Sequence, residues 1–445
     1  MRSISEKLSQ SCCDFSYANI PPSVLHQAKR CILDCLGVAL AAVDHETTDI
    51  LCRHIQTMGG DEQSQIIGSD QLVSVEQAAL VNGTMAHVHD FDDTHLSTVI
   101  HPSCTIIPAA LAVGQWKEAG GKDLLEAVVT GMEAALRIGL AVNPEHYDRG
   151  WHITGTVGVF GAAIAAGRLL GLDAERMTAA IGTAATQSSG LRELFGTMGK
   201  PYLAGHAAAN GVRAALLAEG GFSSSRQPLE APRGWAQVVS SSVNLDRVLR
   251  NWGQHFEMLD VGIKPYPSGV VTHPGIDAVY RCRREHAVKA EDVKSAKLTA
   301  HPLVLELTGK KEPQTGLEAK FSIYHCVAAA FFCEKLGVSE FTERMVADPR
   351  IAQLRDKVTV QTDGSFRPDQ ARLEVVTKNG ENFITSVEHV TGSPENPMSD
   401  DQLEEKFTML TESVLGTDQA QKLMQMCWEV EQTDLVTLLA ATDST

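Results

Sequence analysis

Between His87 and Ser103 the chain reads H-V-H-D-F-D-D-T-H-L-S-T-V-I-H-P-S, which sets His87, His89, His95 and His101 beside Asp90, Asp92 and Asp93. Carboxylates next to imidazoles move each other's pKa values, and displaced values are what proton-transfer chemistry uses. The same residues in a solvated, helix-capping acidic loop would do no chemistry at all. Other stretches decide between the two.

Four of them carry suitable groups. His152 ends G-W-H at 150–152, shortly after His146 and Tyr147, and stands just before a helix start. F-G-T-M-G-K-P at 195–201 is a glycine-flanked turn with one lysine, Lys200, ahead of a helix. Pro201 suits a first helical turn, so an anion there would meet both an ammonium group and free N–H groups. K-P-Y-P-S-G-V-V-T-H-P at 264–274 is a proline-rich connection that includes His273. K-F-S-I-Y-H at 320–325 opens a helix and brings Tyr324 and His325. Taken singly, each has a bland alternative: a core histidine, a turn lysine, a linker, a half-buried tyrosine.

The elements that must position these groups change character along the chain. Residues 1 to about 260 read as helices. Ser74 and Gln77 form a capping box for a helix over 75–87, which delivers the His/Asp segment at its C-terminal end. Helices are expected from near Ser103, over 122–142, from Thr156, over 174–188 and over 206–220, the second of these apolar nearly all round and therefore central. After about Val261, strands are expected at 293–304, 358–361, 371–377 and 382–390, with Asn379-Gly380 as a type I′ hairpin turn and helices at 319–336 and 339–346. Ser399 and Gln402 cap a last helical segment that returns to the first domain. The expectation is a mainly α protein with an α+β insertion: a helical domain over 1–261 and 394–445, and a lid domain over 262–393 with an antiparallel sheet.

Composition sets outer limits. The chain has 445 residues, 43% hydrophobic and 21% charged, with a formal net charge of −17. That charge argues against a nucleic-acid or anionic-membrane partner, though a local basic pocket can still hold an anionic substrate. No signal pattern or apolar run of spanning length is expected. The 10 cysteines are scattered without a C-x-x-C pair, consistent with reduced thiols in the cytoplasm.

In the order V-N-G-T-M-A-H-V-H-D-F-D-D-T-H, H-P-S, G-W-H, G-T-M-G-K-P and Y-P-S-G-V-V-T-H, the chain resembles the MmgE/PrpD family over nearly its whole length. The resemblance implies a helical domain with a smaller lid, usually dimeric, and a reaction on a small di- or tricarboxylate that needs no metal or organic cofactor. The family's activities include decarboxylation of cis-aconitate to itaconate, dehydration of 2-methylcitrate and epimerisation of iminodisuccinate. The first is the leading expectation. Carried over residue by residue from the decarboxylating branch, the pocket comprises Asp90, Thr94, His101, His152, Lys200 and His273, with the lid tyrosine falling at either Tyr324 or His325. Tyr147 is similar to a tyrosine of the epimerising branch. The resemblance implies His101 as the proton-transfer residue tuned by Asp90, with Lys200 and protonated histidines holding carboxylates.

Two rivals remain at this level. His87-x-His89 with the three aspartates would suit zinc or manganese in a hydrolase. A relative that binds carboxylates without turning them over is the other.

Overall fold

The structure is a computed structural model that describes residues 2–444. Two apolar cores divide the molecule. The larger gathers side chains from Leu8 to Ile263 and again from Met398 to Ala441. The smaller runs from Tyr266 to Val387.

The larger core is a helical assembly in which small residues set the distances. Gly121–Val142 and Ile153–Leu169 cross so closely that a Cβ on Gly131 would lie 2.7 Å from the Gly161 carbonyl oxygen. Val75–Val88 packs on Gly199–Glu219 through Gly83 and Gly205 in the same way. The Ser74–Gln77 capping box is formed at the start of Val75–Val88. The Ser399–Gln402 box likewise starts Asp400–Leu415. Gly199–Glu219 begins a full two turns earlier than its apolar pattern announces, and this draws Lys200 into its first turn.

Asp400–Leu415 returns to the large core, as expected. Its buried Lys406 pairs with Asp34 of Pro22–Leu40 and donates to the Phe91 carbonyl at 2.7 Å. The returning helix therefore grips the His/Asp segment from behind.

The smaller unit holds a four-stranded sheet in the order Val358–Thr362, Val293–Ala300, Ala371–Thr377, Asn382–Val387. Two of its three pairings are antiparallel; the first pair is parallel, because the helices between those strands carry the chain back across. The hairpin at Asn379-Gly380 differs from the expected type I′ turn. Only Gly380 has positive φ, at 91°, and Thr377 N–H donates to the Glu381 carbonyl. That is a three-residue loop with glycine in the left-handed position.

The helix expected over 319–336 is broken. Gly316–Ala319 ends, the chain turns inward at Lys320, and Ile323–Phe332 starts afresh where the Ser322 hydroxyl accepts from the His325 N–H. Pro349–Arg355 and His273–His286 are helices that the sequence reading left unassigned. Among the described residues no helix is long and apolar enough to cross a membrane.

Candidate active site between the two units

Val75–Val88 ends at His89, and Asp90 follows with φ 52°. Aspartate tolerates this left-handed conformation better than most residues, and the turn it makes sends its carboxylate into a cavity. Thr94–His95 then pairs with Val261–Gly262 at the junction of the two units. The tight turn that follows places Val99 at φ 61°. A β-branched residue there is strained by about 1–3 kcal/mol, and Val99 lines the same cavity.

The cavity is walled by Asp90, Val99, His101, Tyr147, His152, Phe195 and Lys200 of the helical unit, and by Lys264, Leu307, Thr308 and Phe321 from the boundary and lid. Lys200 Nζ donates to Asp90 Oδ1 at 2.7 Å and to His87 Nε2 at 2.9 Å. Lys264 Nζ reaches the same Asp90 oxygen at 3.0 Å and the Asp90 carbonyl at 2.9 Å. The other carboxylate oxygen, Oδ2, is buried without a partner. Phe195 and Phe321 flank Lys200 at 5.5 and 5.4 Å.

The hydrogen bonds fix which nitrogens carry protons. His87 Nδ1 lies 2.8 Å from Asp92 Oδ2, so Nδ1 donates there and Nε2 accepts from Lys200. His101 Nδ1 is 2.9 Å from the Asp93 carbonyl, which only accepts; Nδ1 is therefore protonated. Thr94 Oγ1 shares that contact at 3.0 Å. His101 Nε2 is left with its lone pair, the arrangement of a proton acceptor. His152 Nδ1 is buried and unpartnered, and its ring stacks on His87 at 6.0 Å.

Charge in the free site rests on lysine. Burial, then Lys264, holds His101 well below the ordinary histidine range. Burial, then Lys200, does the same to His152. His273 is pushed down to about 3 by burial and Lys264. The expected protonated histidines are thus held neutral here, chiefly by burial, with the neighbouring lysine charges acting in the same direction. Burial would raise Asp90, but Lys200 and Lys264 outweigh it and keep the carboxyl well below its usual range. Asp93, by contrast, is raised to about 7 by burial, against its bonds from Ser103.

The structure brings Asp90, His101, His152, Lys200 and Tyr147 to one cavity. Thr94 stands behind His101. His273 lies in an adjoining crevice with Thr94 and Lys264, its Nε2 on the Ser268 carbonyl at 3.1 Å. Tyr324 and His325 do not reach the cavity wall. Tyr324 sits in the lid core under Lys311, and His325 Nε2 faces the Glu340 carbonyl.

Two site lysines went unassigned in the sequence reading, although both stretches had been singled out. Lys264 opens K-P-Y-P-S-G. Lys320 opens K-F-S-I-Y-H; its Nζ is buried and donates to the His89 carbonyl at 2.7 Å and to the Pro267 carbonyl at 3.3 Å. Burial brings Lys320 down to about 7, with Asp90 opposing. The signal available for both was a lysine standing alone in an otherwise apolar or proline-rich run.

His89 turns away to the Ala41 carbonyl, so the H-x-H pair does not converge. His87, Asp90, Asp92 and His101 do offer ligand atoms within 4.8 Å of one another. The Lys200 ammonium already bonds two of the four, and Lys264 bonds Asp90 as well. Ammonium groups thus occupy the role of a cation among these donors.

This fold and site define a two-domain protein with a buried, lysine-rich histidine cavity at its junction. The chain belongs to the MmgE/PrpD family: the MmgE/PrpD N-terminal domain matches residues 6–247 and the MmgE/PrpD C-terminal domain matches 266–430. It is similar to cis-aconitate decarboxylase of Homo sapiens, 26% identical over 99% of this chain and 95% of that protein. The enzyme of that name from Aspergillus terreus is 25% identical over 95% and 92% of the two chains. 2-Methylcitrate dehydratase of Escherichia coli O157:H7 is 26% identical over 77% and 74%.

Proposed function

We propose that this protein is a cofactor-independent lyase of small carboxylates that decarboxylates cis-aconitate to itaconate, working as a cytoplasmic homodimer. One observation carries the reading: a bare His101 Nε2 faces a closed cavity in which Lys200 and Lys264 converge on a single carboxylate. Two buried ammonium groups against one aspartate leave positive charge for a substrate carboxylate. The near full-length likeness to proteins named cis-aconitate decarboxylase supports cis-aconitate as the substrate.

The steps follow from the charges. A polyanionic substrate offsets the repulsion that Lys264 and Lys200 exert on His101, which then takes up at Nε2 one proton from solvent, the proton that each turnover consumes. Loss of carbon dioxide leaves an electron pair on the substrate, stabilised by the lysines in a water-poor site. His101 returns the proton to carbon. Asp90 holds Lys200 and Lys264 in place, and the ring N–H of His152 donates to a substrate carboxylate.

A second reading is epimerisation of an amino polycarboxylate such as iminodisuccinate. It is favoured by Tyr147, whose ring forms part of the wall under the Arg192 guanidinium at 4.2 Å. Incubation of the purified protein with cis-aconitate, 2-methylcitrate, citrate and iminodisuccinate, followed by NMR, separates the cases. Itaconate is the expected product. Methylaconitate would select a dehydratase, an inverted centre an epimerase, and binding without any product a non-catalytic relative.

A further inference from the structure

His95 belongs to the titratable segment but takes no part in the cavity. Successive residues of a strand face opposite ways. Thr94 turns to His101, and His95 turns to the other side, where its neighbour across the strand pair is Val261.

Immediately before Val261 lies the 3₁₀ turn Glu257–Asp260. Residues three apart eclipse one another in such a turn, so Glu257 and Asp260 project on one face. One imidazole nitrogen of His95 and one oxygen from each carboxylate lie within 4.8 Å of one another.

His95 is 1% exposed. Its Nδ1 is engaged by Thr98 Oγ1 at 2.8 Å, and its Nε2 has no hydrogen-bond partner. A buried ring nitrogen is costly to leave unsatisfied. The Thr98 contact is of the kind that orients a metal-binding imidazole through its second nitrogen. Among the described residues neither carboxylate pairs with lysine or arginine. The ionic neighbour of Glu257 is His255 at 3.8 Å, with Glu257 17% and His255 57% exposed in their side chains, so an ion has a path inwards.

We propose that His95, Glu257 and Asp260 form a divalent-metal site, distinct from the catalytic cavity, with solvent completing the coordination and His255 at its rim. An imidazole with two carboxylates suits zinc or a similar transition ion better than calcium or magnesium, which prefer oxygen alone. A bound ion would tie the strand bearing Thr94 to the turn entering the domain junction.

The test is calorimetric titration of chelator-treated full-length protein with zinc chloride, repeated with cobalt(II) and read by its visible absorption. One ion per chain is expected at this site, with a cobalt spectrum of four-coordinate nitrogen and oxygen ligands. The double variant Glu257→Gln/Asp260→Asn changes only partly exposed side chains. It should remain folded by circular dichroism and weaken zinc binding by about tenfold or more. Asp92→Asn, beside His87 behind the cavity, should leave this binding unchanged. Absence of zinc binding by the unmodified chain, or affinity undiminished in the double variant, would overturn the proposal.

Discussion

At the residue scale the site assigns different work to neighbouring groups. His101→Ala should keep substrate binding and lose turnover, by on the order of 10² to 10⁴ in rate. Lys200→Ala should weaken binding as well, because it releases both Asp90 and His87. Direct binding measurements beside kcat are needed, since KM need not equal Kd. Near-normal turnover in folded His101→Ala would remove that residue from the chemistry. Lys320 adds a pH dependence. Its ammonium is present below about 7 and is lost as pH rises through that value. Lys320 stands behind the cavity wall but couples electrostatically to Asp90, Lys200 and Lys264, so the positive potential in the cavity falls with it and KM for an anionic substrate should rise between pH 6.5 and 8. In Lys320→Met, KM should be high throughout and nearly flat over the same range, whereas an unchanged profile would show that another group titrates. The His/Asp cluster, Lys200 and His152 were legible because their residue types are unusual in their surroundings. The pairing of Lys264 with Asp90 was not, because 174 residues separate them and nothing local announces which lysine turns inward.

At the element scale the site depends on how closely two helices approach. Val75–Val88 ends in the turn that bears Asp90, and Gly199–Glu219 bears Lys200 in its first turn. A Cβ at Gly205 would lie 2.1 Å from the Leu80 carbonyl oxygen and 2.2 Å from Thr84 Oγ1. Backbone cannot yield as a flexible side chain does. Gly205→Ala should therefore cost about 1–3 kcal/mol of stability and reduce activity by parting Lys200 from Asp90. Thermal melting together with an activity assay checks this; an unaltered Tm and rate would mean that the helices have slack the geometry does not show. Capping boxes and periodic apolar faces made these helices legible in the sequence. The start of Gly199–Glu219 was signalled only by Pro201, since its first turn of Gly199, Lys200 and Pro201 carries no apolar stripe and the periodic pattern begins at His206. The break at Lys320–Ser322 was hidden for a related reason. A serine cap inside an apolar run looks like helix interior until tertiary contacts pull Lys320 towards the His89 carbonyl. The parallel pairing of Val293–Ala300 with Val358–Thr362 depends on the intervening helices, which strand patterns do not encode.

At the scale of the whole molecule, the cavity encloses only about 30 Å³, room for water but not for a tricarboxylate. For the tricarboxylate proposed as substrate, the two units are expected to part on entry, with Lys320 and Phe321 leaving the helical unit. Small-angle scattering should show a more open particle without ligand than with a non-reacting tricarboxylate; identical curves would count against it. Burial of so many histidines sets a further property. His87, His89, His95, His101, His146, His152, His273 and His325 are all shifted down, in each case chiefly by burial. As pH falls below 6.5, the unfolded chain takes up protons at these rings while the folded chain resists, so stability is lost. Asp90 and Asp92 are also held below their usual range, and their contribution is lost at still lower pH. Asp93 acts the other way: raised to about 7, it favours the fold in acid, and that contribution disappears as pH rises through 7. Asp34, Glu133 and Asp260 are raised as well and act with Asp93, so eight buried imidazoles stand against four carboxyls and set the sign. Denaturant unfolding should show stability falling from pH 6.5 to pH 4.5 with a slope steeper than that of a single proton, about 1.4 kcal/mol per pH unit. A flat profile over that range would mean that the histidine cluster opens to water and protonates without unfolding, and the closed, neutral site described above would not be the state that the protein holds in solution.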